Sequence, residues 1–332
     1  MSERVVGQMS FADQLVGDVA RGNATLERIA ALVDWTAVKK LLGPLRSNPM
    51  GAPGYPSLVL FKALLLQRWY GLSDEALEEA LGDRLSFRRF AGLSLSQAVP
   101  DHSTLWRFRE VLSASGLAEC AFAEITGQIE KSGFVLKRGT LIDASLVPSA
   151  VNAPPVPTNP LPPDRDGRPG NKLVRSALDP DAAWTWTMQG YHFGYKLHLA
   201  MDEGSRIVRR LKVTPANVNE TMVADDLICG DEQTLYADKA YDNHARRNRL
   251  KDRGIRDGIA RRGNRWHPMR RWMVRRNEII SNRRAPIEPL FALLKNVYGF
   301  CRARYRGLTR NQTALQLAAT AMNLKRWATC AP

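Results

Sequence analysis

The stretch T-L-I-D-A-S-L-V, residues Thr140–Val147, marks the point at which the chain changes its pattern. It is a nearly continuous apolar run, which is typical of a buried strand. Residues 1–133, which precede it, instead carry apolar residues at three- and four-residue spacing and predict an all-helical N-terminal domain. Short helices joined by tight turns could form a helix-turn-helix DNA reader, and a dimerisation module fits the same pattern equally well.

Helix boundaries in this N-terminal region follow from local residue types. Gly71 is expected to end one helix and Ser73 to cap the next. Asp101 or Ser103 is expected to cap a later helix. Four arginines on these helices are expected to face outward, namely Arg88, Arg89, Arg107 and Arg109.

The order of elements after the strand indicates an α/β fold. Eight prolines between Pro148 and Gly170 predict a long loop, taken to extend over 148–183. Hairpin strands are predicted at Tyr191–Met201 and Arg206–Val213, and a further strand at Thr234–Ala240. Helices are expected to alternate with the later strands. Residues 134–332 therefore predict a mixed sheet with flanking helices.

The overall charge points to a polyanionic partner. The chain of 332 residues has a formal net charge of +15, and nucleic acid is the usual partner of such a basic protein. The four cysteines lack metal-binding or disulfide spacing, and the chain shows neither a signal-peptide pattern nor a membrane-spanning apolar run. We therefore expect a cytoplasmic, DNA-binding protein with no membrane partner.

Two carboxylates, Asp143 and Asp238, each stand alone within an apolar strand. Burying an unpaired carboxylate costs several kcal/mol, so each residue is expected to face solvent, pair with a cation or bind a metal. Taken singly, a solvent-facing strand end is the simplest interpretation of each. Other acids nearby are expected to serve as a helix cap, Asp242, or as solvated turn residues, Asp179, Asp181 and Asp202.

The stretch R-R-A-P-I-E-P-L-F-A-L-L-K, residues 283–295, supplies a third acid. Pro286 is tolerated in the first turn of a helix, so we predict a helix that begins at Arg284 or Ala285. Arg284, Glu288 and Lys295 would then lie on nearly one stripe. The stripe could hold a metal beside a phosphate, or could be an ordinary intrahelical ion pair.

Taken together, Asp143, Asp238 and Glu288 predict a three-carboxylate site on a central sheet, and oxygen-rich sites of this kind suit Mg²⁺. An arginine-rich segment, residues 261–284, precedes Glu288 and predicts a phosphate-binding surface. Within it, Trp266 and Trp272 fit either a core or a base-stacking role. The predicted DNA contacts are Arg261, Arg262, Arg270, Arg271, Arg275, Arg276, Arg284, Lys295, Arg304 and Arg306.

These motifs, in this order, resemble the DDE transposases of bacterial insertion sequences, specifically the insertion-sequence-5 family. The matching pieces are V-P-D-H-S-T-L-W-R-F-R from Val99, L-I-D-A-S-L-V, D-P-D-A-A-W, F-G-Y-K-L-H, A-D-K-A-Y-D-N, R-x3-E-x6-K from Arg284, and Y-G-F-C-R-A-R-Y-R-G-L. The resemblance covers roughly residues 50–327. It departs at Ser281, where the wider signature has a tyrosine.

The resemblance implies a ribonuclease-H-like catalytic domain in which Asp143, Asp238 and Glu288 hold two Mg²⁺ ions, with Mn²⁺ as a possible substitute. It also implies cleavage of double-stranded DNA at the inverted repeats of a mobile element, joining of the 3′ ends to target DNA, and a homodimer or larger assembly. A nuclease that cuts without joining and a DNA-binding regulator that no longer cleaves are the alternatives.

Overall fold

A computed structural model describes residues 4, 6–8, 22–43, 54–155, 176–263 and 268–331. Most of the proline-rich loop, and Trp266 with its predicted core or base-stacking role, lie outside the described residues. The chain divides into two compact units, one of residues 1–134 with 316–332 and one of residues 135–315. The C-terminal segment from Gln316 thus groups with the helical unit, whereas the sequence analysis placed it in the catalytic domain.

The first unit is helical, as expected. Gly71 ends a helix with a φ of 64°, and Ser73 caps the next by accepting a hydrogen bond from the amide of Ala76. Asp101, rather than Ser103, caps the helix that follows it. The helices are α1 (Ala24–Leu32), α2 (Trp35–Leu42), α3 (Ser57–Tyr70), α4 (Asp74–Asp83), α5 (Leu85–Ala91), α6 (His102–Ser115) and α7 (Leu117–Lys131).

Two of the four arginines expected outside on these helices are structural. Arg109 is buried and its guanidinium pairs with Asp74 and donates to the side-chain oxygen of Gln67. Arg88 donates to the carbonyl oxygens of Ser94 and Gln97. The outward prediction was therefore wrong for Arg109, whose guanidinium is buried, while Arg88 is half-buried and its guanidinium is held by carbonyl oxygens of its own unit.

The second unit is built on a mixed six-stranded sheet. Its order is β2-β3-β1-β5-β6, with β4 also paired to β3. β1 runs antiparallel to β3 and parallel to β5, and β5 runs parallel to β6. The strands are β1 (Thr140–Pro148), β2 (Ala183–Thr187), β3 (Gly190–Asp202), β4 (Val208–Pro215), β5 (Thr234–Ala237) and β6 (Arg256–Ile259).

Helices flank this sheet and complete an α/β fold of the ribonuclease-H-like class, as the sequence predicted. Ile142 of β1 and Leu235 of β5 pack with Val223 and Leu227 in one buried cluster. The helices are α8 (Glu220–Leu227), α9 (His244–Asp252), α10 (Arg271–Arg284), α11 (Ile287–Asn296) and α12 (Leu308–Cys330), and α12 contributes its residues from Gln316 to the first unit. Among the described residues, no helix is long and apolar enough to cross a membrane.

Pro286 separates two helices, and this corrects one prediction. α10 ends at Arg284, and α11 begins at Ile287. Proline has no amide hydrogen to donate to the preceding turn, so the helix is interrupted where it stands. Arg284 is therefore the last residue of one helix, while Glu288 and Lys295 belong to the next, instead of all three lying on one helix that begins at Arg284 or Ala285.

Three acids that were expected to be solvated are tied into the fold. Asp202 is buried and accepts hydrogen bonds from the amides of Lys137 and Ser205. Asp179 is also buried, and Asp181 accepts from the amide of Leu308 at the start of α12. Asp242 is not the helix cap, a role that its neighbour Asn243 takes. Donors to Asp179 and Asp181, and the Lys137 donor to Asp202, lie far away in sequence, which local patterns do not reveal.

Candidate active site

Asp143 and Asp238 lie on adjacent parallel strands of the sheet. Asp143 is in the middle of β1, and Asp238 follows the last residue of β5. The parallel register pairs Thr140 with Leu235 and Leu141 with Tyr236. Extending that offset by two residues places Asp143 level with Asp238. The sheet therefore brings two lone carboxylates to one place, although they are distant in sequence.

Arg284 joins these two carboxylates. Its Nη2 lies 3.1 Å from Oδ2 of Asp143, and its Nη1 lies 3.9 Å from Oδ1 of Asp238. The guanidinium is largely buried, with 15% of the side chain exposed. Glu288 lies in the first turn of α11, two residues after Pro286, which separates α11 from α10. The helix break thus allows a cation and a carboxylate from successive helices to approach the same strands.

The pKa of Asp143 depends on its burial and on the charges around it. Burial raises the pKa of Asp143, the Arg284 guanidinium lowers it, and the charges of Asp238 and Glu288 raise it again, so that the pKa lies above its ordinary value. One arginine therefore compensates the three carboxylates only in part. An additional cation would stabilise the ionised form of Asp143.

The donor set fits Mg²⁺ chemically. Carboxylate oxygens are the protein ligands that Mg²⁺ prefers, usually one or two together with water and substrate phosphate. Among the described residues, Asp143, Asp238 and Glu288 do not each place an oxygen within 4.8 Å of the other two. In a two-ion site the ions are about 3.5–4 Å apart, so ligands of different ions need not be that close. The three acids are therefore compatible with such a site.

A tighter group of ligand-type residues lies elsewhere and is largely engaged within the fold, although Oε1 of Glu232 is buried without a partner among the described residues. Cys229, Asp231 and Glu232 do lie within 4.8 Å of one another. However, Asp231 forms ion pairs with Arg209 and Lys137. Glu232 accepts from the amide of Gly230, and burial raises the pKa of Cys229 to about 11. A protonated thiol and an acid paired with two cations are poor metal ligands.

Lys295 lies apart from Arg284, in the wall of an open cavity of about 1170 Å³. Ala144 and Ser145, which directly follow Asp143, line the same cavity. A second cleft, of about 840 Å³, is lined by Asp238 and Arg284. Arg284 and Lys295, the two cations of the R-x3-E-x6-K motif, thus line two different cavities. One of these cavities is also lined by residues next to Asp143 and the other by Asp238.

The arginine-rich segment is divided between internal and exposed side chains. Arg261 pairs with Asp257 at 2.8 Å, and Arg276 donates to the carbonyl oxygens of Ile259 and Asp257. These two guanidinium groups form contacts within the fold. Their positions therefore do not support the prediction that they contact DNA. The remaining predicted contacts of this segment are exposed, namely Arg262, Arg270, Arg271 and Arg275.

A second basic segment, 302–306, is fixed against the end of β1. Ala303 donates its amide to the carbonyl oxygen of Pro148, and Arg302 donates to that of Ser149. Asp179 anchors the far end of the segment because it accepts from the amide of Gly307 and from the hydroxyls of Ser149 and Tyr195. The side chains of the two predicted contacts in this segment, Arg304 and Arg306, are exposed.

Sequence reasoning missed Tyr241, which stands in the motif A-D-K-A-Y-D-N. A single turn of 3₁₀ helix after Asp238 carries it, and its amide donates to the carbonyl oxygen of Asp238. The side chain is 1% exposed, and its hydroxyl has no hydrogen-bond partner among the described residues. Burial raises the pKa of Tyr241 well above its usual range, and the charge of Asp143 raises it further. The tyrosine hydroxyl therefore remains a protonated donor close to the acidic residues.

We expect Tyr241→Phe to leave the free energy of unfolding unchanged or to raise it, because a buried hydroxyl without a partner is itself destabilising by about 1–3 kcal/mol. The matched control is Tyr195→Phe, which removes a buried hydroxyl that donates to Asp179 and should destabilise the fold by about 1–3 kcal/mol. Urea unfolding followed by circular dichroism measures both. Equal destabilisation by the two variants would contradict an unsatisfied hydroxyl at Tyr241.

A ribonuclease-H-like sheet that presents carboxylates on two adjacent parallel strands is the arrangement of a DDE-type transposition enzyme. Comparison with known families agrees with this class. The family described as "Transposase DDE domain" matches residues 136–324, more than half of the chain, and the chain belongs to this family. The family described as "Transposase domain (DUF772)" matches residues 15–111 of the helical part. The protein is therefore a transposase, whose family acts on DNA and generally uses divalent metal ions.

Proposed function

We propose that this transposase, of the insertion-sequence-5 type, cleaves DNA at the terminal inverted repeats of a mobile element and joins the freed 3′ ends to target DNA. The observation that carries the proposal is the juxtaposition of Asp143 and Asp238 on parallel strands, bridged by Arg284 at 3.1 and 3.9 Å. Glu288 completes the acidic set from the first turn of α11. A purely DNA-binding regulator would have no need for two carboxylates bridged by one largely buried arginine.

Asp143, Asp238 and Glu288 would hold Mg²⁺, with Mn²⁺ as a substitute. Two such ions, when bound, would activate a water and stabilise the attacking and leaving oxygens during in-line displacement at phosphorus. In the first step the water oxygen bonds to phosphorus and the 3′ oxygen leaves with a proton. In the second step the oxygen of that 3′-hydroxyl bonds to phosphorus in a target phosphodiester, and the target's own 3′ oxygen leaves with the proton that the hydroxyl gives up. Arg284 and Lys295, which line separate cavities, would contact phosphates of the DNA.

Exposed arginines would bind the DNA backbone beside these residues. Arg270, Arg271 and Arg275 on or next to α10 are exposed, and none of them forms an ion pair within the described part of the chain. Phosphates would neutralise these charges, which agrees with the net charge of +15. Because two ends of an element must be joined, we propose that the protein acts as a dimer or larger assembly on DNA.

Cleavage of end-labelled DNA from both sides of the gene, with Mg²⁺, tests the proposal. The parent protein should nick the DNA at a fixed inverted-repeat boundary, and added target DNA should yield joined products. Asp238→Asn should give neither product. Nicks without joined products would indicate a nuclease of the same fold. Tight binding without cleavage by the parent, in Mn²⁺ as well as Mg²⁺, would indicate a regulator.

The DNA-binding role of the exposed arginines predicts a change in salt dependence. Arg270→Gln with Arg271→Gln should lower the slope of log K against log salt concentration by about two, because each phosphate contact contributes about 0.9. The control pair, Arg261→Gln with Arg276→Gln, removes internal ion pairs and should leave that slope unchanged. Fluorescence anisotropy with a random duplex measures both. A parental slope in the first variant would remove these arginines from the DNA surface.

A further inference from the structure

The hairpin formed by β2 and β3 exposes large apolar side chains. Trp186 is 57% exposed, Met188 at the turn is 98% exposed and Tyr191 is 55% exposed. Trp186 and Tyr191 are directly paired across the two strands. Exposed aromatic side chains that cluster on one element mark a binding surface rather than a core. The proposed cleavage chemistry makes no use of this hairpin.

The hairpin forms one wall of the 1170 Å³ cavity that contains Lys295. Its rings support one another, since Trp184 meets Tyr191 edge to face at 6.3 Å and packs against Phe193 at 5.5 Å. Ala144 and Ser145 also line the cavity. The aromatic wall therefore continues onto the strand that carries the first acid of the proposed site.

The charges in the wall favour an anionic occupant. Lys295 and Arg302 both line the cavity. Glu220 also lines it, but its carboxylate is paired with Lys196 at 2.7 Å and is therefore neutralised. A ligand that suits this wall carries a flat aromatic face and a negative charge within one small unit. A nucleotide has both features, whereas a base within a duplex has its two faces covered by its neighbours.

We propose that this cavity binds an unpaired nucleotide of the DNA substrate, with its base against Trp186 and Tyr191 and its phosphate towards Lys295. The inference rests on the proposed function, because that function supplies DNA as the substrate. A volume of about 1170 Å³ is ample for one nucleotide, since sites for small molecules span about 300–1,000 Å³. Unpaired nucleotides next to the cleavage position would be held along the strand that carries Asp143.

Binding in the presence of a chelator tests this inference without cleavage. The probes are a blunt 20-base-pair duplex and the same duplex with a three-nucleotide single-stranded end, both measured by fluorescence anisotropy with the full-length protein. The parent should prefer the tailed duplex. Trp186→Ala and Tyr191→Ala should each reduce that preference about 5- to 150-fold, because stacking of one base on an aromatic side chain contributes about that factor. Binding of the blunt duplex should be unchanged.

Trp106→Ala is the matched control, because Trp106 is 51% exposed and does not line the cavity. It should retain the preference for the tailed duplex. The inference is overturned if the parent shows no preference, if Trp106→Ala loses it equally, or if Trp186→Ala weakens both probes alike. It is also overturned if sedimentation shows that Trp186→Ala converts a DNA-free dimer to a monomer, since the hairpin would then bind a second copy. Loss of cleavage by variants of Asp143, Asp238 or Glu288 does not affect this binding measurement, so the two proposals can fail separately.

Discussion

Glu288→Gln is expected to reduce DNA cleavage by about a thousandfold or more while DNA binding is unchanged. The substitution keeps the size of the side chain but removes the anionic oxygen that would bind the metal. Loss of a single preorganised stabilising group costs about 10²–10³ in rate, and a metal ligand should lie at or above the upper limit. Glu288 is exposed and close to the start of α11, so the fold should tolerate the change.

The control for this variant is Glu278→Gln, the same chemical change at an exposed position on α10. It should cleave at the parental rate. Single-turnover cleavage of end-labelled DNA, together with anisotropy for binding, separates the two effects. Parental cleavage by Glu288→Gln would remove this residue from the proposed metal site. Loss of binding and cleavage together would instead assign Glu288 a structural role.

Arg284→Met is expected to tighten Mg²⁺ binding about tenfold or more and to slow cleavage, two effects in opposite directions. The guanidinium lies 3.1 Å from Oδ2 of Asp143, one of the oxygens proposed to bind metal. Removing the guanidinium ends its competition with Mg²⁺ for that oxygen and its repulsion of the ion. A tenfold change in Mg²⁺ affinity corresponds to about 1.4 kcal/mol. Cleavage should fall because Arg284 is also proposed to contact phosphate. Methionine keeps the apolar stem of the side chain.

Isothermal titration with Mg²⁺ in the absence of DNA measures the first effect. Arg283→Met is the control, because Arg283 is 61% exposed and pairs with Glu203 rather than with the acidic site. It should bind Mg²⁺ as the parent does. Unchanged or weaker Mg²⁺ binding in Arg284→Met would show that Arg284 and the metal do not compete for Asp143.

The exposed β2–β3 hairpin has a recognisable strand pattern in its sequence, which the preceding proline-rich loop obscured. A-W-T-W-T, residues Ala183–Thr187, alternates aromatic and polar residues with the period of a strand, and the structure places β2 there. The sequence analysis ended the proline-rich loop at residue 183 and assigned no element to residues 184–190, so it overlooked the alternation. Trp184 and Trp186, which line the cavity, were missed for this reason.

The sequence alone determined the class of fold and the identity of the candidate acids. Burial patterns are local, so periods of two and of three to four residues identify strands and helices along the chain. Asp143 and Asp238 stood out because a charged residue within an apolar strand is costly without a partner. These inferences required no knowledge of which strands are neighbours.

Only the tertiary structure decided which charges meet. The parallel register of β1 and β5 places Asp143 level with Asp238, and the break at Pro286 delivers Arg284 to both from a separate helix. Asp179, which seemed a solvated turn residue, is buried because Ser149, Tyr195 and Gly307 converge on it from distant segments. Pairing of opposite charges depends on distance in space, and a distance across the fold is set by packing rather than by position in the chain.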